Sequence, residues 1–414
     1  MNHHMNVIIE TEVLGKKGTK KKIQSTMRVE DILVEKYQNG GMKLASYKIP
    51  FKSFVKNFGT TLSYIMGSAT TTGVNTANGA SQAASTFMSV SEAAINNSTN
   101  SIHSRRGLYI GDNLENTVAA ASTALVSAST SKSFLTGAVG SKTSKNDTFI
   151  GRRIEASSAS VATKVSYGAM SITISTDDRV TLKRRFYNSR GSAITIGEIG
   201  LGTQNVISAG YFVDHNILLA RDVTSRPFDL EDQQYLDITM EFSIPTTGYL
   251  TTNFVVMLAN IFKNNDGAYN YKNVNGTIPT GITTFTVGTD VKAGADDVNR
   301  GLQLGSRFDN FSIYDYKLLS IIGNATLDRS ATTFINDLNT YNTTTRFGFQ
   351  RDFTNVGTSK LEIAEGSLQI KDDSDDGIVI ARFPTGEIDL DPNDILRVKF
   401  YFDFPVSAGG LTGV

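Results

Sequence analysis

At 414 residues the chain is too long for one ordinary hydrophobic core, so two or three domains are expected. Its 40 basic and 40 acidic side chains cancel, which excludes a protein-wide electrostatic pull toward DNA or an anionic membrane, and with no Cys it can form neither disulfides nor thiolate metal sites. Trp is absent and Pro scarce, while Thr, Ser, Asn and Gly abound and Phe and Tyr supply the large apolar groups, a composition that suits a β-rich chain with long polar loops.

The first ten residues, "MNHHMNVIIE", lack the apolar stretch of a signal peptide, and no run approaches the roughly 18–20 apolar residues of a membrane helix. Synthesis in the cytoplasm without the usual export route is expected. "NVIIETEVLG" and "KKIQSTMRV" read as a hairpin, and "VEDILVEKYQ" reads as a helix stopped by Gly40-Gly41. Residues 1–50 therefore form a separate hairpin-helix arm. Its turn concentrates Lys16, Lys17, Lys20, Lys21 and Lys22. Such a turn is either simply solvated or a contact for an acidic partner or passing nucleic acid, the one place where nucleic acid is considered.

Beyond the arm, "NFGTTLSYIM" (57–66) spaces apolar residues for a short helix. Residues 67–105 and 117–147 are biased polar loops too poor in large apolar groups for a core of their own, and are either ordered against a neighbouring subunit or floppy. "KVSYGAMSITIST" and "RVTLKRRFYN" alternate on either side of Asp177-Asp178 and predict a hairpin. "SAITIGEIGLG", "NILLARDV" and "LDITMEFSIP" read as further strands.

The chain then repeats itself. "NFVVMLANIF" (253–262) matches 57–66, "RGLQLG" (300–305) matches "RGLYIG" (106–111), and "FTNVGTSKLEIAEGSL" (353–368) matches "FYNSRGSAITIGEIGL" (186–201). "IVIAR" (378–382) matches "ILLAR" (217–221), and "IDLDPNDILRVKFYFDFP" (388–405) matches "FDLEDQQYLDITMEFSIP" (228–245). The five blocks keep their order while the offset only falls, as loop shortening in a second copy would produce. "MKLASYKIP" (42–50) adds a third trace of the strand that ends in Pro. The fold class expected is mainly β: two tandem, duplicated β-sandwich modules at 51–245 and 246–414, each with one or two short helices. "SIYDYKLLSII" (312–322) is expected to be the second helix of its module. The recurring residues Phe58 and Phe254, Phe186 and Phe353, Arg221 and Arg382, and Phe242 and Phe402 are expected to hold the fold, with Ile238 and Val398 also in the core.

Signals for chemistry are weak. His3, His4, His103 and His215 lack partners at metal-ligand spacing, and there is no phosphate-cradling loop and no nucleophile elbow. "KDDSDDG" (371–377) imitates a calcium loop but has Phe383 where the twelfth-position Glu belongs, so an exposed polar loop is expected. Glu198 and Glu365 recur mid-strand, which suggests a role in folding. No catalytic residue, metal ligand or cofactor is assigned.

"ITIGEIGL", then "LLARD", then "FDLEDQQYLDITMEFSIP" resembles a module of tail, neck and baseplate proteins of tailed bacteriophages, and "RGLYIG" and "RGLQLG…DYKLL" resemble a second element of the same proteins. The resemblance spans most of 57–245 and 253–405 and omits the arm. The second copy departs from it, with "EGSL" for "EIGL". The composition is also similar to that of virion proteins of crAss-like podoviruses. The resemblance implies a non-catalytic virion protein of the tail or neck, a ring or adaptor that forms a closed homo-oligomer. Its partners would be a portal, tail tube, fibre or neighbouring ring protein, with no membrane involved. A receptor-binding fibre or adhesin segment and a capsid decoration protein stay open as alternatives. A glycan-degrading virion enzyme would need a paired-carboxylate site, and no acidic pair stands out.

Overall fold

The computed structural model describes residues 4–49, 107–111, 165–168, 170–176, 178–205, 215–245, 248–262, 300–337, 344–371 and 376–405, together with residues 58, 74–75, 81–82, 156–157, 272 and 275. Apart from these, the expected helix at 57–66 and the loops 67–105 and 117–147 lie outside the described residues. The chain opens with β1 (His4–Val13), β2 (Lys21–Val29), β3 (Ile32–Gln38) and β4 (Lys43–Ile49). Next come β5 (Val74–Asn75), β6 (Ser81–Gln82), β7 (Gly107–Gly111), β8 (Ala156–Ser157), β9 (Val165–Tyr167) and β10 (Ser171–Thr176). The first half ends with β11 (Arg179–Asn188), β12 (Ile194–Asn205), β13 (His215–Leu230) and β14 (Gln234–Ser243). The second half holds α1 (Thr252–Phe262), β15 (Gly301–Gly305), β16 (Leu327–Arg329) and β17 (Thr333–Asp337). It finishes with β18 (Thr344–Asn355), β19 (Leu361–Lys371), β20 (Gly377–Leu390) and β21 (Ile395–Pro405).

The architecture is mainly β and sandwich-like. A 13-stranded sheet runs β16-β18-β21-β1-β2-β14-β11-β9-β8, with β10, β17, β3 and β4 attached. Two 3-stranded sheets, β13-β12-β7 and β15-β19-β20, belong one to each half. Strand alternation explains the burial. Along β11 the inward positions are Val180, Leu182, Arg184, Phe186 and Asn188, every second residue. The expected core residues Phe58, Phe186, Phe242, Phe254, Phe353 and Phe402 are all buried, as are Ile238 and Val398. Phe402 stacks on Phe347 with ring centroids 5.0 Å apart and on Phe254 of α1 at 5.8 Å. Helix α1 lies against β10 and β11 of the first half and β20 of the second.

The two halves repeat in register. Phe186 faces Leu236 and Val180 faces Phe242, while Phe353 faces Leu396 and Phe347 faces Phe402. Gly200 faces Arg221, and Ser367 faces Arg382. Both halves break register at corresponding places, Ile196/Glu198 and Leu201/Gly202 in one, Ile363/Glu365 and Leu368/Gln369 in the other. Bulges at matched positions are features of the fold rather than accidents of loop length.

Three expectations are corrected. Residues 29–38 are not helical: β3 is a strand that pairs with β14 and β4. Its Ile32 and Val34 are buried at a spacing of two, and the partner strand lies about 200 residues away in sequence. Residues 312–322 form turns rather than a second helix, because the Glu365 carboxylate accepts the Leu319 and Ser320 amides that a helix would use. The hairpin-helix arm is instead four strands and is not detached. β1 inserts between β2 and β21, and β2 and β3 pair with β14, so the chain start joins the two halves. The hairpin at 171–188 forms as expected, and the loop between β19 and β20 coincides with "KDDSDDG", of which 372–375 lie outside the described residues.

Candidate functional site

Side chains with chemical potential gather in three places, and the first occurs in both halves. Arg184, on the inward face of β11, is buried and donates from Nη1 to the Leu108 carbonyl of β7 at 2.9 Å. Arg351, at the same position of β18, donates to the Leu302 carbonyl of β15 at 3.0 Å and from Nε to the Ser330 carbonyl at 2.8 Å. Each guanidinium thus crosses from the large sheet to a small one. At the end of each strand an asparagine does the same. Asn188 Nδ2 donates to the Leu230 and Ser192 carbonyls at 2.8 and 2.9 Å, and Asn355 Nδ2 to Leu390 and Ser359 at 2.8 and 2.9 Å. Their Oδ1 atoms accept from the Arg190 and Gly357 amides. The recurring glutamates Glu198 and Glu365 are fully buried, facing Gly111 and Gly305. A Cβ at either glycine would run into the glutamate side chain, which is why the pair is Gly with Glu in both halves.

The second place surrounds Arg382, one of the recurring arginines. Its guanidinium is 1% exposed. It donates from Nε to Glu365 at 2.8 Å, from Nη1 to Asp315 at 2.7 Å and from Nη2 to Asp309 at 3.0 Å, with the Phe308 ring 4.9 Å away. Burial works against its charge, but the hydrogen bonds to Asp315, Glu365 and Asp309 outweigh that and raise its pKa. With the three nitrogens each bonded to a carboxylate, the cluster clips the 308–320 loop onto β19 and β20. Arg221, its counterpart, sits at the matching register of β13, where its backbone pairs with β12.

The third place is the basic turn. Lys16 is bridged to Asp391 at 2.9 Å and to Asp394, and both carboxylates raise its pKa. Lys21 donates to the carbonyls of Gly386 and of Glu387, the latter at 3.2 Å. Lys20 lies 3.8 Å from Glu10. These three lysines meet acceptors of their own chain, Lys16 in the turn before β21 and Lys21 within β20, and all five lysines of the basic turn are exposed. Reading residues one by one passed over Arg184 and Arg351. The signal was present: "RVTLKRRFYN" and "RFGFQRDFTN" share both arginines when the 186–201 block is extended backwards.

Among the described residues no three His, Asp or Glu side chains group as a metal site, and no helix is long and apolar enough to cross a membrane. Comparison with family models, with curated proteins and with solved structures gave no match.

Proposed function

We propose that the chain is a non-catalytic structural subunit of a tailed-phage virion that forms or decorates a ring or adaptor in the tail or neck, and that its two halves descend from one duplicated module. The observation that carries the proposal is the use of the recurring polar side chains. Arg184, Arg351, Asn188 and Asn355 are inward-facing and bonded to backbone carbonyls of other strands. Residues kept in both halves for anchoring sheets fit a scaffold whose purpose is a surface, and the resemblance to tail and neck modules supplies the kind of scaffold. The partners proposed are further copies in a closed ring and neighbouring virion proteins, with nucleic acid reached at most through the basic turn at Lys16–Lys22.

Mass photometry and negative-stain electron microscopy of the purified protein test this. A closed ring of six or twelve copies is the expected result. A trimeric spike would favour the receptor-binding alternative, and a persistent monomer at micromolar concentration would overturn the assembly proposal.

A further inference from the structure

The inward faces of the two antiparallel pairs, β11–β14 and β18–β21, are both apolar apart from one arginine each. β11 offers Val180, Leu182, Arg184 and Phe186 to Phe242, Met240, Ile238 and Leu236 of β14, and β18 offers Phe347, Phe349, Arg351 and Phe353 to Phe402, Phe400, Val398 and Leu396 of β21. Val180 and Leu182 stand where β18 has Phe347 and Phe349, but the pattern of apolar and arginine positions is the same, so that pattern does not keep β11 from β21 or β18 from β14 in the same frame. Two halves of one chain, or of two chains made side by side, therefore have a pairing problem that apolar burial does not solve.

The outward face differs in one respect that bears on it. In the first half Arg185 on β11 grips Asp237 on β14 through two parallel bonds, Nε–Oδ1 at 2.6 Å and Nη2–Oδ2 at 2.8 Å. In the second half the same two positions carry the opposite charges. Asp352 on β18 accepts from Arg397 on β21, Nε–Oδ1 at 2.8 Å and Nη2–Oδ2 at 2.7 Å. The geometry is kept and the polarity is reversed. Exchange of partners in the native frame would set Arg185 against Arg397, Asp237 against Asp352, and Lys183 against Lys399. Gly348 adds a steric element. A Cβ there would meet the Phe400 carbonyl and Tyr401, so Tyr401 needs a glycine opposite, and in an exchanged pairing it would face Thr181.

We propose that this reversed arginine–aspartate pair is a pairing code that directs β11 and β18 each to its own partner strand and disfavours exchange between the halves. At these two sites native pairing joins opposite charges and exchanged pairing opposes like ones, while exchange would also set Arg179 against Asp403. Each opposed like pair disfavours its ladder by roughly two- to five-fold relative to a neutral one, and the bidentate native pairs widen the gap.

The absence of Cys makes the test direct, because an introduced pair has no competitors. Gln350→Cys with Thr239→Cys places thiols that face each other only if β18 takes β14. In the native sheet three strands separate β18 from β14, about 19 Å at the usual spacing, beyond disulfide reach. Oxidative refolding of this reporter should leave the 239–350 disulfide at background. Adding Arg185→Asp with Asp237→Arg gives both halves the same polarity and should raise the disulfide several-fold. Adding Asp352→Arg with Arg397→Asp as well reverses both pairs, restores opposite polarity, and should return the disulfide to background. Thermal unfolding of each variant verifies that the native fold is still reached. The code is refuted if the first reversal leaves the disulfide at background, and equally if the fourfold variant cross-links as much as the twofold one.

Discussion

Three of the largest fully buried side chains among the described residues, Arg329, Arg351 and Arg382, carry charge. Arg351 is fully buried, and its guanidinium holds carbonyls on two other segments, Leu302 and Ser330. Truncating it leaves those carbonyls without their donor in a dry interior and removes the packing of the aliphatic stem. Arg351→Ala should therefore lower unfolding free energy by about 2–4 kcal/mol, read from urea denaturation. Arg185, whose side chain is 54% exposed, makes a bidentate pair with better geometry than most surface bridges. Solvent screening nevertheless limits Arg185→Gln to a loss of about 1 kcal/mol at most. A larger loss for Arg185 than for Arg351 would invert the ranking and sink the reading of Arg351 as a sheet-crossing anchor.

The Arg185–Asp237 pair also has a pH signature. Burial alone would raise the Asp237 carboxyl, but the hydrogen bond and charge of Arg185, joined by Lys183, hold it below its ordinary value of 3.8. A carboxyl depressed on folding contributes stability that is complete above the unfolded value and is lost as pH falls through the lower folded value. The stability difference between wild type and Arg185→Gln should stay level from about pH 8 to pH 5 and shrink below 3.8. Paired urea titrations across that range check it, and a difference that already fades near neutral pH would point to another group.

At the scale of elements, strands with plain apolar–polar alternation were legible in the sequence. β10, β11, β14 and β21 alternate, and Pro245 and Pro405 punctuate the last two. β3 was not legible as a strand, because Glu30, Glu35 and Lys36 are good helix formers and Val29, Ile32, Leu33 and Tyr37 fall at helical spacing. It pairs both with the neighbouring β4 across the Gly40-Gly41 turn, which reads equally well as a helix stop, and with the distant β14, which no local pattern reports. The turns at 312–322 were hidden likewise, since their amides answer to Glu365 on another strand. The matching blocks were legible as residues that occupy corresponding registers, while the sheet-crossing arginines needed the inward face of the strand to be known. Phe402, buried among Phe254, Phe347 and Phe400, tests the core at this scale. Phe402→Ala should cost about 3–5 kcal/mol in the same denaturation assay, whereas Tyr314→Ala, at a 57% exposed site, should fall within about 0.5 kcal/mol of wild type.

For the whole molecule the decisive element is the first strand. β1 pairs with β21 from Asn6–Asp403 to Val13–Leu396 and with β2 from His4–Arg28 to Thr11–Lys21, so it is a central strand with a ladder on each side. Its Met5, Val7 and Ile9 are buried, and β2 and β3 carry the connection on to β14. The two halves thus share one sheet and unfold together if that seam is intact, because loss of β1 would open the edge of β21 and strip its core face. Calorimetry of the full chain should show one transition with equal calorimetric and van't Hoff enthalpies. Ile8→Pro removes a ladder donor in mid-sheet, where proline is not accommodated. It should separate the transition into two, or shift the second half to lower temperature than the first. Removing residues 4–13 should do the same more severely, exposing the apolar face of β21 and driving aggregation. If the strand-deleted chain instead melts at the wild-type temperature in one step, the first strand is a passenger on the sheet and the halves are coupled elsewhere, through α1.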